Sequence, residues 1–339
     1  MSLPLSADIV TSKRYVVTPS PGARRPSTMI SAIVDLDVGV IYSGEQNYML
    51  PLVKSLAGSA DGLTLRLILV DNASPEGVAS YADYCPRTKI VANAERLGYA
   101  ANLNRILAAS DARYTLLLNT DMYFDVGEQC IAKMVKFMDD NSGCGISICR
   151  IYHPDGTYGY PARRFPTWRA IAARRLGLAR FYAGELRDHL YQDSDTKTSF
   201  DCDWISGCFM LVRRDAMRDV GRFDEGYAKY FEDVDMCLRM ARAGWQVKFH
   251  GQTYCYHFEQ RASRRTLSRD AWWHARSYLR WLTKWRLSVP SNAPNNASRA
   301  KAMLTAARSL RHDPSHANPG QPPKGATESR TARRPDGRR

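Results

Sequence analysis

The 339-residue chain has no apolar run approaching the roughly 18 residues a membrane-spanning helix needs. Its first 30 residues have no apolar core of the kind that marks a secretory signal. Both absences predict a cytoplasmic protein that touches a membrane only peripherally, at its inner face. Eight cysteines stand at 85, 130, 144, 149, 202, 208, 237 and 255, yet no two form a C-x-x-C pair. That spacing argues against a zinc or thioredoxin-like site. Several lie in apolar runs and read as small buried thiols in a reducing compartment. No G-x-G-x-x-G or P-loop lysine motif occurs, which disfavours a dinucleotide dehydrogenase and a Walker-type nucleotidase. Acidic residues are scarce, 34 against 48 Lys and Arg, so the formal charge is +14.

That charge is uneven. From Val289 onward there are ten Lys/Arg and three Asp/Glu, a surplus of seven and half the total. The same stretch is rich in Pro, Ser, Asn and Gly, and such a segment buries too little apolar surface to offset its ordering entropy. Residues 288–339 are therefore expected to be a disordered basic tail. Residues 1–28 read as an irregular lead-in. Without the tail the body is only moderately basic, so no nucleic-acid partner is expected. Anionic-polymer binding without catalysis is the non-enzymatic alternative.

What is present from Met29 on is an alternation of strands and helices. "MISAIV", "VGVIY", "LTLRLILVDNAS", "KIVANAERLG", "YTLLLNTD" and "CGISICRI" read as strands with their following turns. "EQNYMLPLVKSLAG", "YAANLNRILAAS" and "VGEQCIAKMVKFMDDN" read as helices between them. This alternation predicts an α/β unit with a mostly parallel central sheet flanked by helices. Ligands of such sheets sit at the carboxyl ends of the strands. Asp71 and Asn72, Asn93 and Arg96, and Asn119 and Asp121 all follow strands.

One stretch is acidic against the trend. "YAKYFEDVDMCLRMARAGW" places Glu232, Asp233 and Asp235 within four positions. Phe231, Val234, Leu238, Ala241 and Trp245 recur at helical spacing, with Gly244 at the expected end. Acids in a first turn interact well with the helix dipole. Asp235 and Arg239 are spaced for an i,i+4 ion pair. Glu232, Asp235, Arg239 and Arg242 share a polar face, whereas Asp233 lies on the side of Cys237 and Met240. Helix-start and surface chemistry therefore account for Glu232 and Asp235 and leave Asp233 over.

Seven segments, in order, resemble the inverting glycosyltransferase family 2 of the GT-A fold, and more narrowly its bacterial rhamnosyltransferase-like branch. They are "LILVDNAS", "ERLGYAANLN", "LLLNTD", "HPDGTYGYPARRFPT", "DWISGCFMLVRRDAMRDVGRFDEGY", "YFEDVDMCLRMARAGWQV" and "YCYH". The resemblance runs from about Ile30 to Trp285. It implies a transferase domain over 29–287, with a nucleotide-binding half at 29–125, an acceptor and catalytic half at 126–260 and a C-terminal helix at 261–287.

The resemblance also implies a nucleotide-sugar donor, a divalent metal and an alcohol acceptor. Asp71 corresponds to the aspartate that accepts from a uracil or thymine N3–H, a fit for an acceptor-only carboxylate. Tyr42, Asn93, Arg96 and Asn119 are the other expected donor-nucleotide residues. At the end of the first strand "VIYSGEQN" departs from the family's usual Thr-Tyr-Asn-like turn. "NTD" stands in place of the D-x-D metal motif and leaves Asp121 as its carboxylate ligand. His257 matches a histidine that joins the metal in some relatives. Manganese or magnesium is the implied cofactor, both of which take oxygen ligands and bridge phosphates. The family's base lies in its "ED" pair. Asp233 is the expected base and Glu232 the fallback. Trp204 and Gly207 of "DWISG" are expected at the sugar and acceptor.

The implied activity is transfer of a sugar, L-rhamnose from dTDP-rhamnose first, to a glycan or polyprenyl-diphosphate-linked acceptor in bacterial envelope polysaccharide synthesis. A UDP-hexose or galactofuranose donor is the alternative on the same fold. In "RDAWWHARSYLRWLTKWRLS", His274, Tyr278, Trp281 and Trp285 form one helical stripe beside Arg276, Arg280 and Lys284. Such a helix either lies in a membrane interface or packs on the catalytic domain.

Overall fold

A computed structural model describes residues 34–167, 169–171, 180–258 and 269–285. The expected lead-in, residues 29–33 of the first apolar run, and the basic tail lie outside the described residues. Four apolar, β-branched segments form parallel strands: Leu36–Tyr42 (β1), Leu65–Asp71 (β2), Thr88–Ala92 (β3) and Tyr114–Leu118 (β4). β1 and β4 are buried along nearly their whole length, so they carry apolar runs rather than alternation. Helix α1 (Gln46–Ala57) follows β1, and α2 (Tyr99–Ala109) follows β3. α2 crosses β1 closely at Gly39, where a Cβ would meet Ile106 Cγ2 at 2.1 Å.

The second half contributes Met122–Tyr123 (β5), Cys130–Asp140 (α3), Cys144–Tyr152 (β6), Ala162–Arg163 (β7), Ala183–His189 (α4), Phe200–Asp201 (β8) and Trp204–Ile205 (β9). Phe209–Arg213 (β10), Arg214–Val220 (α5), Glu232–Arg242 (α6), Gln246–His257 (β11) and Arg269–Trp285 (α7) complete it. The nine-stranded sheet runs β3-β2-β1-β4-β10-β6-β11-β5, with β8 paired to β11. β10 is antiparallel to both β4 and β6, while β6 and β11 are parallel. β7 and β9 form a separate antiparallel pair. The expected mixed α/β architecture with a mostly parallel sheet is the one observed.

Register decides where function can sit. Tyr42 aligns with Asp71, and Asp71 with Ala92. The polar turns after β1, β2, β3 and β4 therefore emerge along one edge of the sheet. At the opposite end of β1 the buried Asp37 accepts from Arg66 Nε at 2.7 Å and Ser110 Oγ at 2.7 Å. Those bonds lower its pKa although burial alone would raise it.

Candidate active site

The strand-end turns are held by asparagines. Asn93 Nδ2 donates to Asn72 Oδ1 at 2.9 Å and to Asn102 Oδ1 at 2.7 Å. Leu97 N donates to Asn72 Oδ1 at 2.8 Å, and Asn72 Nδ2 reaches Ser43 Oγ at 3.2 Å. The loop before α2 is thus bound to the turns after β1 and β2. Asn93 is buried in this network and does not line the neighbouring cleft. Tyr42 is also buried, with its hydroxyl donating to Glu76 and its ring against Tyr81. Asp71 Oδ1 accepts from Ser74 N at 2.8 Å, which is turn chemistry. Arg96 donates to Ser43 O at 2.9 Å from an exposed position. Four expected nucleotide residues therefore gather behind and beside Ser43 and Asn72, and the latter two line the cleft.

That cleft is about 610 Å³. Its walls include Ser43, Asn119, Asp121, Gly207, Asp233 and His257. Asp121 Oδ1 lies 3.1 Å from His257 Nε2. β5 and β11 create the contact, because the Met122–His257 pairing brings the two chain segments side by side. Two neighbouring ligands of an octahedral cation, each at about 2.1 Å, stand about 3.0 Å apart. One carboxylate and one imidazole at this spacing fit manganese or magnesium without rearrangement.

Tyr99, at the start of α2, links the cleft's two sides. Its hydroxyl hydrogen is shared between Asn119 Oδ1 at 2.9 Å and Gly207 O at 3.1 Å. Gly207 N in turn donates to Asp233 Oδ2 at 2.9 Å. Asn119 N is fixed by Cys208 O at 3.0 Å. A Cβ on residue 207 would sit 3.4 Å from Asp233 Oδ2, so glycine leaves the carboxylate open to the cleft. Sequence reasoning passed over Tyr99 because one aromatic at a helix start reads as core.

The acids begin a strained turn. Tyr230 and Phe231 both have φ of +69°, immediately before α6. Aromatic residues there are uncommon, and such strain is held in place by surrounding packing. Phe231 offers no side-chain cap. Glu232 is 5% exposed, and its Oε2 has no hydrogen-bond partner among the described residues. Burial and the neighbouring Asp233 push its pKa up to about 8. Burial also raises Asp233, against the N–H groups of Val234 and Gly207, which favour its charged form. Both carboxyls are therefore pushed toward their neutral forms, Glu232 the more strongly. A second cavity of about 220 Å³ meets the first at Glu232, Asp233, Ser206 and Tyr230. Arg163, Trp204, His189 and His274 line it.

Trp204 is buried, with Arg163 4.9 Å above its ring and its Nε1 donating to Arg164 O at 2.8 Å. It is a wall of the second cavity rather than a free stacking platform.

Two expectations about faces are corrected. Asp235 is fully buried, not a surface acid. It bonds Arg239 Nε at 3.0 Å, Lys284 Nζ at 2.8 Å and Trp285 Nε1 at 2.9 Å. Glu232 is buried too. For Asp235 the reason is tertiary: Lys284 and Trp285 of α7 lie over the face that the helix pattern assigns to solvent. The aromatic stripe of α7 points inward, with Phe231 5.6 Å from Tyr278 and 6.2 Å from Trp281. Arg280 and Lys284 engage Asp224 at 2.9 and 2.7 Å. Of the two roles weighed for this helix, packing on the domain is the observed one for that stripe. Trp272 and Leu279 remain outward, 57% and 61% exposed, with Arg276 5.6 Å from the Trp272 ring. No described helix is long and apolar enough to cross a membrane.

Known proteins share this architecture. The family described as Glycosyl transferase family 2 matches residues 37–221. Rhamnosyltransferase WbbL of Escherichia coli is 24% identical over 257 residues, covering 73% of this chain and 92% of WbbL. An N-acetylglucosaminyl-diphospho-decaprenol L-rhamnosyltransferase of Mycobacterium tuberculosis is 25% identical over 256 residues, covering 67% of this chain and 82% of the relative. In fold, the chain is similar to S. aureus TarS in complex with UDP-GlcNAc, with a TM-score of 0.51 at 13% identity, covering 84% of this chain and 74% of that one.

Proposed function

The chain belongs to glycosyl transferase family 2, and on that premise we propose that it transfers L-rhamnose, with inversion, from a nucleotide diphosphate donor to a hydroxyl of a lipid-linked glycan. One observation carries this reading: the two cavities meet at the Glu232–Asp233 pair. The larger one receives the donor. Ser43 and Asn72 face its nucleoside, with Asp71, Tyr42, Asn93 and Arg96 holding that wall. Asn119 and Asp121 face the diphosphate. The smaller cavity receives the acceptor sugar against Trp204, with Gly207 at the boundary.

Asp121 and His257 would hold a divalent cation, which supplies charge stabilisation to the departing diphosphate when bound. The chain's own groups do the rest. Asp233, held by Gly207 N at 2.9 Å, points a carboxylate at the junction of the two cavities. The acceptor oxygen attacks the anomeric carbon as the bond from that carbon to the diphosphate oxygen breaks. Asp233 takes the hydroxyl proton as the new bond forms. Glu232, whose pKa burial raises to about 8, adds no second charge below that pH.

The rhamnosyl donor is favoured by the names of the two bacterial relatives, and the lipid-linked acceptor by that of the mycobacterial one. A panel of dTDP- and UDP-sugars with manganese tests the donor by thermal shift and product formation. Stabilisation and turnover with dTDP-rhamnose alone support the proposal. Turnover with a UDP-hexose alone rejects it. Asp233→Asn is expected to abolish transfer while donor binding, read by thermal shift, persists. Near-normal turnover in that variant would remove Asp233 as the base.

A further inference from the structure

The eight cysteines have no metal-binding spacing in the sequence, yet three of them converge in space. Cys130 is the first residue of α3, Cys149 lies in β6 and Cys255 in β11. Cys130 Sγ is 3.7 Å from Cys149 Sγ, and Cys149 Sγ is 3.5 Å from Cys255 Sγ. All three sulfurs fall within 4.8 Å of one another, and all three residues are fully buried. They form the sole such ligand group among the described residues.

The geometry points to a closed site for one soft, thiophilic cation, with Cu(I) the best match. A cation bound to sulfur at about 2.3 Å in a trigonal set separates its ligands by about 4.0 Å. The observed triangle needs shifts of only a few tenths of an ångström at its two measured sides. Thiolates select soft ions over the hard cations that oxygen ligands prefer. A closed zinc site takes four ligands, and among the described residues no histidine or carboxylate joins these three. The nearby Thr253 hydroxyl donates to Glu128 Oε1 at 2.7 Å and also lies against Cys130. Three thiolates around one monovalent ion leave net negative charge. The positive end of the α3 dipole, where Cys130 sits, offsets part of it.

Occupancy would fasten α3 to two strands of the sheet. β11 continues two residues beyond Cys255 to His257, so the bound ion would stiffen the end of the strand that carries this side chain. The site differs in chemistry from the Asp121–His257 pair, which suits hard cations, and its test does not depend on transferase activity.

Reduced, metal-free full-length chain is titrated anaerobically with Cu(I) as its acetonitrile complex, then desalted against a competing chelator. One retained equivalent is expected, with X-ray absorption giving three sulfur neighbours at about 2.3 Å. Cys149→Ser should lose at least nine-tenths of the retained copper, whereas Cys85→Ser, outside the cluster, should keep it. Should Cys149→Ser fail to fold, the sulfur count on the unaltered chain decides. Less than half an equivalent, or coordination by fewer than three sulfurs, overturns the proposal. Full retention in folded Cys149→Ser overturns it as well.

Discussion

Glu232 and Asp233 are adjacent carboxylates whose surroundings separate their roles. Burial and the Asp233 charge push the pKa of Glu232 up to about 8, while at Asp233 burial also raises the pKa, opposed by two backbone N–H groups that favour its ionised form. The sign follows directly. Below about 8, Glu232 is neutral. Above it, Glu232 adds a charge beside Asp233, the proposed base. The pH profile of kcat/KM should therefore show an inflection near 8, and Glu232→Gln should erase it while leaving the acid limb. A variant profile that keeps the inflection counts against the assignment. Tyr99 acts one step further out. Its hydroxyl supports the Gly207 peptide, which supports Asp233. Tyr99→Phe removes one hydrogen bond worth about 1 kcal/mol, so kcat should fall roughly fivefold with the donor KM nearly unchanged. An equal rise in donor KM would instead make Tyr99 a binding residue.

At the scale of elements, the decisive contact joins α6 and α7. Asp235 receives Arg239, Lys284 and Trp285, and Asp224 receives Arg280 and Lys284. Removing one partner of a buried ion pair leaves uncompensated charge, which costs about 3–5 kcal/mol. Arg239 and Lys284 keep partial solvent contact, so Asp235→Ala should cost about 3 kcal/mol, the low end of that range. Denaturant unfolding followed by tryptophan fluorescence measures it. A loss within about 0.5 kcal/mol, as for an ordinary surface change, would mean that the latch contributes little. α7 also brings His274 to the wall of the second cavity, so the same variant should weaken acceptor use more than donor binding.

At the scale of the whole molecule, the charge is unevenly distributed. Half of the formal +14 lies after residue 288. On the body, the outward face of α7 keeps Trp272, Arg276 and Leu279 exposed, while Arg280 and Lys284 are drawn to Asp224 and Asp235. Any attraction to an anionic bilayer would therefore rest mainly on the tail, at about 1 kcal/mol per basic residue near the surface. A chain ending at residue 288 should sediment with anionic vesicles at least tenfold more weakly than the full chain. Equal sedimentation would remove the tail from membrane attachment.

The sequence by itself determined the α/β alternation, the placement of polar residues at strand ends and the helix that carries the acids. These depend on apolar periodicity and turn chemistry, which are local. It also pointed to Asp121, Asp233 and His257, which line one cleft. Tertiary structure decided the rest, because burial is a property of what covers a residue. The polar face of α6 reads as solvent-exposed until α7 lies over it, which buries Asp235 and turns the aromatic stripe inward. Asn93 reads as a ligand contact until Asn72 and Asn102 enclose it. Tyr99 gains its link to Gly207 only through a contact 108 positions apart. The three clustered cysteines show no spacing in sequence, since a helix start and two parallel strands bring them together.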